Sequence, residues 1–330
     1  MTEIKPQSRL HQGRSIPAVV ERTTQISVQA LVHRCPSLES VKFYLDTNAV
    51  SNLFRPSGPL TSDALTSARG LLVRSSSAGT TTILISAALL DELSGISATD
   101  PSLHGEISEF LWSVGGANLL RSTMDLARLE VGLGRVLTGR EPFDSREVRR
   151  ELRRAYGHRS YLAERTAEVG RQTELFKREE EERRESIRQT VAASPQIKRS
   201  LAHESRDWSS GAKERINDWI RESWAAEPQS YGLAPDPGSW PDPAAAPTVW
   251  GMFAYKMARM HLNIGERRRV DGSDFYDAHH YVAASYADIL VTDDSAFGLT
   301  CDLIPTTPFR RVGFREYVDR WLVESSRPDR

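Results

Sequence analysis

Six acidic residues fall where chemistry could be done. Asp46 follows Val41–Leu45, a short run of aromatic and β-prone residues. Glu92 sits early in the segment Ala87–Gly95, directly after the β-branched run Thr80–Ser86. Asp274 and Asp277 are three positions apart at the start of another apolar segment, and Asp293 and Asp294 follow Ile289–Thr292. If the runs before Asp46, Glu92 and Asp293 are parallel strands, all of these acids lie at one edge of the sheet, where α/β proteins bind their ligands. Two carboxylates about 5 Å apart at an effective dielectric near 20 repel by about 3 kcal/mol. Such a group calls for a counter-charge. Hard cations bound through oxygen suit it, and no cluster of cysteine or histidine competes for a softer metal. Mg²⁺ or Mn²⁺ among carboxylates activates water and neutralises charge on a phosphodiester oxygen. The pattern therefore points to metal-assisted phosphodiester hydrolysis. Asp46 would equally serve as a helix N-cap.

The elements that must position these acids are legible in outline. Val41–Leu45, Thr80–Ser86 and Ala287–Thr292 read as strands, and Cys301–Pro305 as a last one. Helical spacing marks Leu60–Ser75, Ala87–Gly95, Thr248–Ile264 and Ala278–Tyr286, with a terminal helix over Arg315–Val323. The segment after Asn48 is a helix start cut short by Pro56. Strand and helix in alternation predict an α/β fold, a parallel Rossmann-like sheet flanked by helices.

Between about residues 100 and 226 the strand signals vanish. His104–Leu120 and Met124–Leu137 predict packed helices. Arg146 to Arg188 holds 13 Lys or Arg against 10 Asp or Glu, a balance that suits a long solvated helix braced by ion pairs one turn apart. Trp208 to Trp224 predicts one more amphipathic helix. Six prolines between Glu227 and Pro247 predict an extended connector. The division expected is an arm over 1–38, an α/β domain from 39–99 and 248–330, a helical insertion over 100–226 and a Pro-rich connector over 227–247.

A net charge of -1 gives no whole-molecule attraction for nucleic acid, so any such surface must be local. Arg267, Arg268 and Arg269 are candidates to hold a phosphate backbone, as are Arg310 and Arg311. Of His279 and His280, one is expected to face the core and the other the rim of the site. Two cysteines, Cys35 and Cys301, make no disulfide framework, so a reducing cytoplasm is the expected setting. No apolar run approaches membrane-spanning length.

These residues resemble the PIN-domain nucleases. The likeness is carried by Leu45-Asp46-Thr47-Asn48, by Glu92-Leu93-Ser94-Gly95, by Asp277 with Ala283-Ala284, and by Val291-Thr292-Asp293-Asp294 with Phe297. It covers roughly residues 40–96 and 270–323 and leaves the middle uncovered. The resemblance implies a PIN-like sheet and a Mg²⁺- or Mn²⁺-dependent endoribonuclease, in many members the toxin of a toxin–antitoxin pair. It implies Asp46, Glu92, Asp277 and Asp294 as the metal-binding acids. Thr47 or Asn48 would orient the first acid and Thr292 the last. Asp274 and Asp293 stay as alternative ligands, although the Thr-x-Asp spacing favours Asp294 over Asp293. RNA is the expected partner. An antitoxin or inhibitor protein and a second copy of the chain are further partners this reading admits, as is a catalytically inactive PIN-like scaffold that binds RNA or a protein.

Overall fold

A computed structural model describes residues 40–55, 60–193, 246–266, 274–304 and 307–322. Among them four short strands, β1 (Val41–Leu45), β2 (Thr81–Leu84), β3 (Ile289–Val291) and β4 (Arg310–Val312), form one sheet in the order β2-β1-β3-β4. Every pairing is parallel. The fold is α/β, mostly helical, with helices on both faces of this small sheet.

The two-residue period of the strands divides the core. Tyr44, Leu84 and Leu290 stand in register on one face, while Phe43, Leu45, Ile83, Ile289 and Val291 point to the other. The second face is covered by α1 (Thr47–Asn52), α2 (Ser62–Ser77), α3 (Ala87–Thr99) and α4 (Pro101–Gly115). The first face carries α5 (Thr123–Leu133), α8 (Pro247–Glu266), α9 (Asp274–Ala284) and α10 (Ser295–Leu303). Strand β1 is flanked by β2 on one side and β3 on the other, so the chain reverses its direction of travel between β1 and β3. A crevice outside the carboxyl ends of the strands is expected at that point.

The helical region between α3 and α8 is built into this body. After α4 the chain returns alongside the end of β2, where Ile85 bridges Leu119 in parallel. Gly115 makes this turn possible, because a Cβ there would sit 2.9 Å from the Ile83 carbonyl oxygen. The charged stretch forms two helices, α6 (Arg146–Tyr156) and α7 (Arg159–Ala193), rather than one; Gly157 caps the first. Asp91 of α3 anchors both. Its Oδ1 accepts from the Tyr156 hydroxyl (2.5 Å) and Arg165 Nε (2.6 Å), and Arg165 Nη2 pairs with Oδ2.

The sequence reading differs from the structure near the C-terminus. Cys301 belongs to α10, not to a strand, because Asp294 caps a helix whose apolar side, Phe297, Cys301 and Leu303, enters the core. The fourth strand is instead Arg310–Val312, which places Arg310 and Arg311 on the sheet edge. There they pair with Glu316 (3.0 Å) and Asp302 (2.8 Å). The expected terminal helix is one α-turn, Phe314–Glu316, followed by a π-helical stretch Tyr317–Leu322. Pro247, counted with the connector, opens α8, a place where its missing N–H costs nothing. The N-terminal arm, the Trp208–Trp224 segment, the connector up to residue 245 and Arg267–Arg269 lie outside the described residues. Among the described residues no helix is long and apolar enough to cross a membrane.

The start of α8 is held by a buried acid. Glu130 of α5, fully buried, accepts from the Thr248 backbone N–H (2.9 Å), the Thr248 hydroxyl (2.8 Å) and the Tyr286 hydroxyl. Burial pushes its carboxyl up to about 6 despite these donors. A carboxyl raised in the folded state stabilises below the ordinary carboxylate range, and that stability is lost as pH rises through about 6, a change of about 2 kcal/mol. Thermal unfolding of the wild type and Glu130→Gln between pH 4 and 8 should show the variant gaining on the wild type by that amount as pH rises. A difference that stays constant over the range would refute the assignment.

Candidate active site

The crevice at the reversal point is a cleft of about 510 Å³. Asp46 stands at the end of β1 and Glu92 on α3. Asp277 lies on α9, and Asp294 follows β3. These four acids, separated widely in sequence, all line it, together with Thr47, Asn48 and His280. Helix α7 closes one side with Val169, Thr173, Glu174 and the half-buried Lys177.

Asp46 and Asp294 are both helix caps. Asp46 Oδ1 accepts from the Ala49 N–H (2.7 Å), and Asp294 Oδ1 accepts from the N–H groups of Ala296 (2.8 Å) and Phe297 (2.9 Å). The capping bonds fix the carboxylates at the mouth of the crevice, so the structural role and a chemical one are compatible at the same residue. Among the described residues Oδ2 of Asp294 has no hydrogen-bond partner. Thr292 stands between the two strands' acids: its hydroxyl accepts from the Asp294 N–H (3.0 Å), and its proximity helps to lower the Asp46 carboxyl. Asp277 Oδ2 accepts from the Tyr255 hydroxyl (3.2 Å).

Burial raises two of these acids. Asp46 is pushed up to about 6, chiefly by loss of water, against the lowering effects of Thr292, Ala49 and His280. Asp277 reaches about 7 through burial, with Asp274 and Asp294 adding repulsion while His280 and Arg259 oppose it. Glu92 moves the other way. Burial would raise it, but the charge and hydrogen bond of His280, with the Thr47 hydroxyl, hold it below the ordinary range.

His280 is the residue whose weight the sequence understated. Its side chain is 4% exposed, and Nε2 donates to Glu92 Oε2 at 2.7 Å. Its Nδ1 lies 2.5 Å from the Tyr44 hydroxyl, which in turn sits 2.8 Å from the Ser86 hydroxyl. Burial alone would lower the imidazole, yet Glu92, Asp46 and Asp277 together raise it. When His280 is protonated both its nitrogens donate, Tyr44 accepts from Nδ1 and the Tyr44 hydroxyl donates to Ser86. The spacing Asp277-x-x-His280 puts both on one face of a helix, and that spacing was the available signal. His279 points elsewhere, bonding Thr123 (2.9 Å).

The alternative ligands are engaged away from the cleft. Asp274 pairs with Arg259 on the other side of α9. Asp293 accepts from the Phe314 N–H (2.8 Å) and from Asn52 (3.3 Å), as a turn residue would. Thr47, expected to orient Asp46, donates to Glu92 instead. Asn48 lines the cleft.

No family model, curated protein or solved structure matches this chain. The site therefore has to be judged on its own chemistry. Among the described residues, no three His, Cys, Asp or Glu side chains converge as a preformed ion cage. Carboxylate oxygens are nevertheless what the cleft presents. Asp46, Asp277 and Asp294 offer oxygen ligands, two of them raised by burial. Mg²⁺ commonly takes only one or two carboxylates and keeps several waters, so a closed cage is not required.

Proposed function

We propose that the cleft is a metal-dependent hydrolytic site acting on phosphodiester bonds, RNA before DNA, on a PIN-like α/β scaffold. The observation that carries this reading is the meeting of Asp46, Glu92, Asp277 and Asp294 in one cleft at the reversal point of the sheet. One or two of Asp46, Asp277 and Asp294 would hold Mg²⁺ or Mn²⁺, with waters completing its shell. Such an ion supplies Lewis-acid activation of water and neutralises charge on a phosphodiester oxygen. The chain's own part is to orient and to manage protons. The capping amides fix Asp46 and Asp294, and Thr292 accepts from the Asp294 N–H. His280 favours the ionised Glu92 and shares a proton at Nε2 with Glu92 Oε2. Lys177, on the opposite wall, would meet a substrate phosphate.

The resemblance to PIN-domain nucleases supports the same class, and with it a cytoplasmic endoribonuclease under control of an antitoxin-like inhibitor. The test is cleavage of single-stranded RNA and DNA with Mg²⁺, with Mn²⁺ and with a chelator, comparing the wild type with Asp46→Asn. Equal cleavage by the two proteins removes the proposed site.

One observation favours a second reading. Glu92 is already satisfied by His280 and Thr47, which leaves it little reason to seek an ion. On that reading the domain is a PIN-like scaffold that binds RNA or a protein and cuts nothing. Calorimetric titration with Mn²⁺ separates the two, because a scaffold shows no ion binding that depends on Asp46.

A further inference from the structure

On the other side of α9 from the acids lies a second cavity, of about 300 Å³, between α7, α8 and α9. That volume is within the range of small-molecule sites. Leu175, Phe176, Met252, Phe275 and Ala278 make its apolar wall, and Arg259 faces it. The Arg259 side chain is only 7% exposed. Its Nη2 pairs with Asp274, but its buried Nε and Nη1 have no hydrogen-bond partner among the described residues. Guanidinium donors point in fixed directions, and a buried donor left unmet is costly. Asp274 already balances the charge. What Arg259 lacks is therefore a hydrogen-bond acceptor rather than an anion. Beside it the rings of Phe176 and Phe275 lie 5.5 Å apart, tilted by 56°, and give the cavity aromatic faces.

We propose that this cavity binds a nucleobase, its carbonyl or ring-nitrogen acceptors on Arg259 and its face against the Phe176 ring. Arginine donors pair with such base acceptors, and single-stranded nucleic acid is held by stacking bases on aromatic side chains. The choice of a nucleic-acid ligand rests on the hydrolytic reading of the neighbouring cleft. The two sites are adjacent: α7 and α9 wall both, and Tyr255, which lines the cavity, donates to Asp277 in the cleft. A base seated here belongs to a nucleotide close to the acids, so the cavity would select which phosphate the acids meet.

The experiment is calorimetric titration of the full chain with AMP, GMP, CMP and UMP, and separately with inorganic phosphate. At least one mononucleotide should bind, and phosphate should not compete with it. Phe176→Ala should weaken binding about tenfold through lost stacking. Arg259→Lys, which keeps a cation beside Asp274 but loses the two unmet donors, should weaken it to a similar degree. Phe176 is half-buried on α7, so its variant tests the site even where Arg259→Lys lowers the melting temperature. Asp46→Asn should bind the mononucleotide as the wild type does while losing cleavage. Cleavage without any mononucleotide binding at millimolar concentration overturns the base site and leaves the hydrolytic reading standing. Binding matched by inorganic phosphate, or unchanged in both cavity variants, overturns it as well. Binding without cleavage keeps the base site and sinks the hydrolytic reading.

Discussion

Asp277→Asn is expected to make the protein more stable and to disable it. The ionised Asp277 carboxylate sits 8% exposed among Asp274 and Asp294, and burial with their repulsion lifts it to about 7. Its sign follows from linkage. A carboxyl raised in the folded state contributes stability below the ordinary carboxylate range, and that stability is lost as pH rises through about 7. At pH 8 the ionised group therefore costs roughly 2–4 kcal/mol relative to a neutral one. Asparagine is neutral, nearly isosteric, and keeps an oxygen to accept from Tyr255. The variant should melt several degrees higher than the wild type at pH 8, with the gap closing toward pH 4. Cleavage in Mg²⁺ or Mn²⁺ should fall on the order of 10²–10³-fold, because an ion bound there is worth several kcal/mol to the reaction. The two readouts must move in opposite directions. A variant that loses activity and stability together would make Asp277 an ordinary core residue.

This opposition explains the architecture of the cleft. A fold selected for stability alone would not gather Asp46, Glu92, Asp277 and Asp294 at one edge of a sheet. Part of the repulsion is met from within. His280, when protonated, supplies one buried positive charge beside Glu92 and the neighbouring acids, and Arg259 supplies another behind Asp274. The internal cations leave Asp46 and Asp277 raised rather than relieved. The residual strain is what a bound divalent cation would remove, and it is how a site trades stability for function.

What the sequence carried of this follows from the range of the forces involved. β1 was legible to the residue, because Val41–Leu45 is a dense run of β-prone side chains ended by a capping acid. The acids at strand ends were legible for the same reason: a parallel sheet puts them on one edge, whatever lies between. The shift of the last strand from Cys301–Pro305 to Arg310–Val312 was not. Three residues with two arginines form a strand only because β3 offers its edge, and no local pattern records that. The partners of Glu92 were equally hidden. Whether its carboxylate faces an ion or His280 depends on how α3 and α9 pack, a long-range contact that spacing alone does not fix. Asp91, one position before Glu92, drew no role from the sequence. Only the docking of the charged helices shows it to be a buried anchor.

That anchor carries the second large effect. Asp91 is 5% exposed, and among the described residues Arg165 is the cation that meets both of its oxygens. Arg165→Ala leaves a buried carboxylate whose remaining side-chain partner among the described residues is the Tyr156 hydroxyl. Breaking a buried pair by removing one partner typically costs 3–5 kcal/mol, and the partial exposure of Arg165, 30% for its side chain, places this case at about 3 kcal/mol. In a chain of this size the melting temperature should drop by roughly 4–5 °C. The consequence for function is larger than the loss of stability suggests. The anchor joins α7 to α3, and α7 supplies Lys177 to one wall of the cleft and Phe176 to the cavity beyond it. Arg165→Ala should therefore weaken substrate binding while the acids stay in place, raising KM more than it lowers kcat. Replacing Asp91 and Arg165 together by Leu and Met removes the unpaired charge and should recover most of the melting temperature. If Arg165→Ala melts as the wild type does, α7 is held by its apolar contacts and the ion pair is incidental. If the double variant stays as unstable as the single one, packing around Asp91, rather than its stranded charge, accounts for the loss.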